Sequence, residues 1–272
     1  MTLERYLEER RRLIDKTLAR LLPPKGDYPA ALHEALHYSV EGGKRIRPIL
    51  TLAGCEAVGG KAEDALVAAC GIELIHAFSL VHDDLPCIDN DETRRGQPAV
   101  HKKFGESVAL LAGDALLTLG FEFLSRNGTS SSRQIQVLRE LSRAIGTYGM
   151  IGGQVADLEI RGKDVDLPHL EYVHTHKTGA LIAASLKSGG ILGGGSPKEV
   201  KELFKFGEYV GFTFQIVDDI IDGEGYSLIF EAKGAREEAE RLTGKAKEHL
   251  KIFGRRGKTL SQLADFILTR NT

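Results

Sequence analysis

The stretch Ile72-Glu73-Leu74-Ile75-His76-Ala77-Phe78-Ser79-Leu80-Val81 runs into His82-Asp83-Asp84-Leu85-Pro86-Cys87-Ile88-Asp89-Asn90-Asp91, and then into Arg94-Arg95-Gly96. From Ile72 to Val81 only Glu73, His76 and Ser79 are polar, which predicts a helix buried on most sides. Pro86 has no backbone N–H to donate and disfavours helical geometry at Leu85, so the helix should finish near Asp84, with Asp89 returning from the following turn. The acids then sit at a helix C-terminus, where the macrodipole repels each carboxylate by about 0.3–1 kcal/mol and attracts cations. A bound metal would make sense of that placement.

Alone, one Asp-Asp pair after a core helix reads as a solvated acidic turn. A second cluster changes the reading. Gly211-Phe212-Thr213-Phe214-Gln215-Ile216-Val217-Asp218-Asp219-Ile220-Ile221-Asp222 again ends an apolar helix in aspartates, and Asp218 and Asp222, four apart, share a helical face. Mg²⁺ takes oxygen ligands and is usually bound through one or two carboxylates plus substrate phosphates. Two such half-sites facing each other would suit a polyphosphate carried on Mg²⁺.

Outward from these two helices, helical periodicity continues almost everywhere and strand alternation almost nowhere. Helices are expected over 3–22, 28–40, 45–58, 63–84, 107–124, 132–148, 150–161, 168–176, 179–192, 197–222, 228–253 and 259–269, punctuated by glycine pairs and prolines. No Gly/Ser/Pro linker divides the chain. The expectation is an all-α single domain over residues 1–272, with the Ile72 and Phe212 helices near its centre.

The 272 residues suffice for a sizeable core, and a net charge of −2 with both signs plentiful provides no global field for nucleic acid or an anionic membrane surface. Cys55, Cys70 and Cys87 are widely spaced without CxxC pairing, which fits a reducing compartment and argues against zinc. The first 22 residues lack an apolar signal core, and no stretch is read as reaching the roughly 18 apolar residues of a membrane span. The expectation is a soluble, cytoplasmic protein.

Any basic site must therefore be local. Gly42-Gly43-Lys44-Arg45-Ile46-Arg47-Pro48 sets three cations after a flexible glycine pair, a usual grip for phosphate. Cations at a helix start oppose the dipole, which weakens the alternative of a solvated basic turn. Arg94-Arg95 follows the first acidic cluster, so both signs must be held close together. His176-Lys177-Thr178-Gly179 lies at an expected helix junction, and Gln215 stands one turn before Asp219; each is weak alone and gains from the clusters. Asp114 reads as a satisfied buried partner.

Together these segments resemble the trans-isoprenyl diphosphate synthase (polyprenyl synthetase) family, from about Gly42 to Asp222. Its two aspartate-rich motifs match Asp83-Asp84-x-x-x-x-Asp89 and Asp218-Asp219-x-x-Asp222. Its Gly-Gly-Lys-x-x-Arg-Pro, Arg-Arg-Gly, Gly-Gly-Gln-x-x-Asp and Lys-Thr-Gly elements all occur here in family order. The four-residue spacer containing Pro86 and its flanks look like the bacterial farnesyl and plastid-type geranylgeranyl synthases.

The resemblance implies a helical bundle of about ten or more helices around a central isoprenoid-binding cavity. It also implies a homodimer, with Mg²⁺, three per active site when substrate is bound, and condensation of isopentenyl diphosphate with allylic diphosphates such as dimethylallyl and geranyl. Carried over by position, Gly43, Lys44, Arg47, His76 and Arg95 would hold isopentenyl diphosphate, and Arg94, Lys177, Thr178 and Gln215 the allylic substrate. Asp83, Asp89 and Asp218 would lead in binding metal, supported by Asp84, Asp219 and Asp222. Phe78, five positions before Asp83 and about 7.5 Å down the helix, would act as a floor that stops growth at the farnesyl product, with the small Ser79 beside it. Geranylgeranyl diphosphate is the alternative product.

One departure stands out. After the second motif the family continues through about twenty residues containing a lysine that closes over the diphosphate, whereas here Asp222-Gly223-Glu224-Gly225 runs directly into Tyr226. Either this connection is short by nature or residues are missing from the sequence. The second is the expectation, because the family pattern resumes at Tyr226. From other classes, Glu73-x-x-His76 and Glu171-x-x-His174 carry the spacing of a di-iron carboxylate oxidoreductase, and a non-catalytic subunit of a heteromeric synthase is a further alternative.

Overall fold

Apolar runs bounded by glycine or proline become helices throughout the computed structural model, which describes residues 2–126, 130–161 and 166–270. In chain order these are α1 (Leu3–Leu21), α2 (Ala30–Val40), α3 (Ile46–Ala57), α4 (Ala62–Asp83), α5 (Val100–Phe104), α6 (Glu106–Ser125) and α7 (Ser131–Ile145). There follow α8 (Met150–Ile160), α9 (Leu167–Val173), α10 (Ala180–Leu192), α11 (Pro197–Asp222), α12 (Tyr226–Glu248) and α13 (Lys258–Thr269). The protein is all-α, as its periodicity predicts.

Three local features depart from the expected pattern. Between α9 and α10 the chain makes a π-helical turn, His174–Gly179, where a junction was expected. A two-stranded antiparallel hairpin, β1 (Thr93–Arg94) and β2 (Gln97–Pro98), follows the first acidic cluster. It forms because Arg95 (φ 54°) and Gly96 (φ 74°) both take the left-handed conformation that a tight two-residue hairpin turn requires. The long helix expected to reach residue 253 stops at Glu248 and gives way to a 3₁₀ segment, Lys251–Gly257, in which Gly254 turns the backbone at φ 54°.

The contacts cluster into two compact units, one comprising Met1–Ile49 and Leu66–Gly128, the other Leu50–Ala65 and Thr129–Thr272. In the first, α4 crosses α6 closely enough that a Cβ on Gly71 would meet the Gly120 carbonyl oxygen at 2.7 Å, and one on Gly113 would strike the His82 ring. Small residues at the crossing let a mostly apolar helix bury itself. By length and composition α4 and α6 could each cross a membrane, which corrects the expectation that no stretch reaches that threshold. In α4, however, 67% of the apolar window is buried inside the protein, so its apolarity serves the core.

In the second unit α11 packs on α10 through Gly207 against Ala183, and on the π-turn through Gly211 against Gly179. Its other side joins α12 in a cluster of Ile216, Val217, Tyr226, Ala235, Ala239 and Leu242. α11 starts with a capping box, Ser196 and Glu199 each bonding the other's backbone, and ends at Gly223 in the left-handed conformation. Burial pushes the thiols of Cys55 and Cys70 up to about 12, as expected of small core residues.

Candidate active site

In the first unit α4 ends at Asp83, and the chain folds back so that the Asp89 N–H donates to the Asp83 carbonyl at 2.9 Å. Asp83 and Asp89 are half-buried in this turn, whereas Asp84 points inward and is 1% exposed. Arg94, on the hairpin, donates through Nε to Asp84 Oδ1 at 2.9 Å and through Nη2 to Asp91 Oδ2 at 2.7 Å. Burial raises the pKa of Asp84, and Arg94 offsets part of that rise. The hairpin itself is fixed by Tyr38, whose hydroxyl donates to the Pro98 carbonyl at 2.7 Å.

The same unit gathers most of the cations named from sequence. Arg47 Nη1 donates to His76 Nε2 at 3.2 Å, and Arg95 Nη1 donates to the Glu41 carbonyl at 3.0 Å. Burial and the nearby Arg47, Arg95, Arg45 and Arg94 hold His76 well below its ordinary pKa, so it stands neutral among cations. Gly43 sits between them: a Cβ there would lie 2.5 Å from Arg45 Nη1 and 3.2 Å from Arg95 Nη1. Lys44 is exposed beside it. Tyr38, Gly42, Leu80, Asp84, Arg94 and Arg95 line one small cavity.

Phe78 is 7% exposed, with its ring edge-on to that of His82 at 5.0 Å between centroids. Ser79 is half-buried and donates to the His76 carbonyl at 2.9 Å. Ser79, four residues before Asp83, shares the face of that carboxylate, while Phe78 shares the face of His82, its own neighbour one turn on in α4.

In the second unit Lys177 Nζ donates to Asp157 Oδ2 at 2.7 Å, joining the π-turn to α8. Gly153 makes this approach possible, since a Cβ there would meet the Lys177 backbone N at 2.2 Å. Thr178 follows, half-buried, in the same turn. Gln215 Nε2 donates to Asp218 Oδ2 at 3.2 Å, and Arg270, just past α13, pairs with Asp218 Oδ1 at 2.6 Å. Asp219 accepts the Tyr226 N–H at 2.7 Å and lies 3.4 Å from His174 Nε2, while Asp222 is exposed. The connection from Asp222 to Tyr226 is a closed turn built on Gly223, Glu224 and Gly225, with the Glu224 N–H donating to the Asp219 carbonyl at 3.0 Å.

Sequence reasoning missed Arg270, which no motif marked, gave no role to Asp157, and counted Arg45 among the phosphate-gripping cations, whereas it is buried against Asp15 and Glu73. The di-iron spacing dissolves on inspection. Glu73 bonds Arg45 and His76 bonds Arg47; Glu171 accepts from the Tyr226 hydroxyl and His174 faces Asp219. Among the described residues no three His, Cys, Asp or Glu side chains converge on a point that could by themselves hold a metal. In each unit, half-exposed carboxylates stand at a helix end, Asp83 and Asp89 in one and Asp218 in the other, and such oxygens are the donor chemistry that Mg²⁺ takes together with substrate phosphates.

Known proteins resemble this chain over most of its length. The family model described as polyprenyl synthetase matches residues 29–230. The chain is 42% identical to a chloroplastic geranylgeranyl pyrophosphate synthase of Capsicum annuum, covering 98% of this chain and 78% of that protein. It is 49% identical to large subunit 1 of a heterodimeric chloroplastic geranylgeranyl pyrophosphate synthase of Arabidopsis thaliana, covering 80% of this chain and 60% of that protein. The apo crystal structure of an FPP/GFPP synthase from Zymomonas mobilis superposes with a TM-score of 0.92 at 37% identity, over 97% of this chain and 98% of that one. The Capsicum alignment runs over 290 positions but uses about 267 residues of this chain, so about 23 aligned positions have no counterpart here.

Proposed function

The chain belongs to the polyprenyl synthetase family and is a prenyltransferase, and we propose that it extends allylic diphosphates by head-to-tail (1′-4) condensation with isopentenyl diphosphate, releasing diphosphate. The observation that carries this reading is the gathering of Arg47, Arg95 and Arg94 about a neutral His76, in the same unit as the acidic turn of Asp83 and Asp89. Lys44, Arg47, His76 and Arg95 bind the diphosphate of the homoallylic substrate. Arg94, Lys177, Thr178 and Gln215 serve the allylic diphosphate.

Asp83, Asp89 and Asp218, with Asp84, Asp219 and Asp222 behind them, would hold Mg²⁺, which supplies charge stabilisation to the departing diphosphate. Well-placed cations contribute about 3–4 kcal/mol each to such a step. The allylic carbon loses its diphosphate, the double bond of isopentenyl diphosphate attacks it, and released diphosphate takes the proton. Purified protein incubated with Mg²⁺, isopentenyl diphosphate and each allylic primer should yield elongated products and none with chelator. No product from any primer overturns the reading.

For the product we favour geranylgeranyl diphosphate. Relatives bearing that name support it, as does the small Ser79 on the face of Asp83. Farnesyl diphosphate is the second reading, resting on Phe78. If the wild type makes mainly the fifteen-carbon product and Phe78→Ala lengthens it, the farnesyl reading wins. A twenty-carbon wild-type product, unchanged in Phe78→Ala, leaves Phe78 as core packing, with a stability loss of about 3–5 kcal/mol. We further propose a homodimer, with light scattering to separate it from a mixed assembly of the kind named for the Arabidopsis relative.

A further inference from the structure

The turn that carries the diphosphate grip contains a cation turned away from it. Lys44 is exposed and Arg47 half-buried, but Arg45, between them, is 5% exposed. Its guanidinium is committed on three sides: Nε donates to Asp15 Oδ1 at 2.7 Å, Nη1 to Glu73 Oε1 at 2.8 Å, and Nη2 to the Val40 carbonyl. Its backbone is left-handed at φ 59°, a conformation uncommon outside glycine and one that persists where the surroundings enforce it. From that residue the chain enters α3, whose first bond runs from the Ile49 N–H to the Arg45 carbonyl at 3.0 Å.

We infer that Arg45, clamped by Glu73 and Asp15, is the positioning residue that sets the diphosphate grip of Lys44, Arg47, His76 and Arg95. This rests on the function proposed above. Two rungs tie the turn to α4, Arg45 to Glu73 and Arg47 to His76, and Glu73 and His76 stand three residues apart on one helical face. The first rung therefore fixes the register of the second. Asp15 on α1 holds the same guanidinium from the other side, and the pairing keeps Arg45 charged despite its burial.

Charge explains why the clamp matters. A Cβ on Gly43 would lie 3.1 Å from Glu73 Oε1 and 3.2 Å from Arg95 Nη1, so the buried carboxylate is close to a cation of the grip. With Arg45 in place Glu73 is satisfied and Arg95 stays available. Without Arg45 a buried, unpaired carboxylate recruits the nearest cation, and the site loses a positive charge that should meet phosphate.

The test is calorimetric titration of the full chain with inorganic diphosphate, together with steady-state kinetics for isopentenyl diphosphate. Arg45→Met should weaken diphosphate binding and raise KM for isopentenyl diphosphate by ten- to a hundredfold, with kcat within a few-fold of wild type. Arg45→Lys, which keeps the charge but not the fork, should lose less, at least threefold. Arg45→Met with Glu73→Gln should recover several-fold over Arg45→Met alone, because the stranded carboxylate is gone. Wild-type diphosphate affinity in folded Arg45→Met, or a fall in kcat at unchanged KM, overturns the inference. Should Arg45→Met fail to fold, unchanged affinity in Arg45→Lys does the same. A wild-type protein that binds neither diphosphate nor isopentenyl diphosphate overturns the functional reading itself, a result distinct from failure of the Arg45 variants alone.

Discussion

The two acidic clusters solve one electrostatic problem with different materials. Each ends an apolar helix, at the negative pole of its dipole, and each turns the second aspartate of its pair inward: Asp84 onto Arg94, Asp219 onto the Tyr226 N–H and His174. The first aspartates, Asp83 and Asp218, stay half-exposed. The first cluster carries its cation a few residues downstream on a hairpin. The second borrows Arg270 from the end of α13, where it pairs directly with Asp218. The Asp-Asp motif is thus a division of labour, one carboxylate presented and one used as a strut, and the nearest cation decides how each is neutralised.

The comparison breaks first at the presented carboxylates. Asp83→Ala and Asp218→Ala should each reduce turnover about a hundred- to a thousandfold; Asp83→Ala should keep or slightly gain stability because like charges at a helix end have been thinned, whereas Asp218→Ala strands the buried Arg270 and should cost about 2–3 kcal/mol. Steady-state rates and denaturant midpoints measure both. Near-wild-type turnover in either variant would remove that cluster from the chemistry.

Loss of either strut should show in stability. Asp84→Ala leaves Arg94 half-buried without its main partner and should cost about 2–3 kcal/mol, below the full range for breaking a buried pair because 36% of the Arg94 side chain is exposed. Asp219→Ala removes the acceptor of a buried backbone N–H and should cost about 1–2 kcal/mol. Urea unfolding midpoints decide the order. If Asp219→Ala proves the costlier change, the two struts do not differ as their partners suggest.

Arg270 offers a finer distinction. It is 92% buried in its side chain, stacked 3.6 Å above the Phe214 ring, and bonded to Asp218 where a divalent cation would compete for the same oxygen. Arg270→Met should raise the affinity of the protein for Mn²⁺, followed by electron paramagnetic resonance, by about three- to tenfold, or about 1 kcal/mol. Arg94→Met, whose cation bonds the strut Asp84, should raise it less. Equal gains would show that the borrowed cation and the resident one are equivalent.

How much of this was legible in the residues follows from how local each cause is. α11, from Pro197 to Asp222, was read to the residue because Ser196, Pro197 and Gly223 mark its ends with their own backbone chemistry. The presented acids and the cations of the Gly42–Arg47 turn were legible because clustered charge beside apolar sequence demands an explanation. The inward turn of Asp84, Asp219 and Arg45 was not, since nothing in the spacing separates a buried charge from its exposed neighbour. Arg270 and Asp157 escaped because their partners lie far away in sequence. The π-turn at 174–179 escaped because its cause is tertiary: Gly179 lies against Gly211 of α11.

The smallest effect concerns the far ends of the same helices. α4 opens with Glu63 and Asp64, whose carboxylate accepts the Lys61 N–H at 2.8 Å, and α11 opens with Glu199 in its capping box. Each helix thus offsets the acids at its negative pole with an acid at its positive one. The Ser196 N–H, then its hydroxyl, holds the Glu199 carboxyl below the usual range, against a small opposing effect of burial. A depressed folded-state pKa contributes stability that is present above the unfolded value, 4.5, and is lost as pH falls through the folded one. Glu199→Ala should therefore cost about 0.5–1 kcal/mol at pH 7, and the gap between the two proteins should close as pH falls below about 4. A gap that persists unchanged into acid would mean that the carboxylate acts at this helix start through packing, and that only α4 uses charge there.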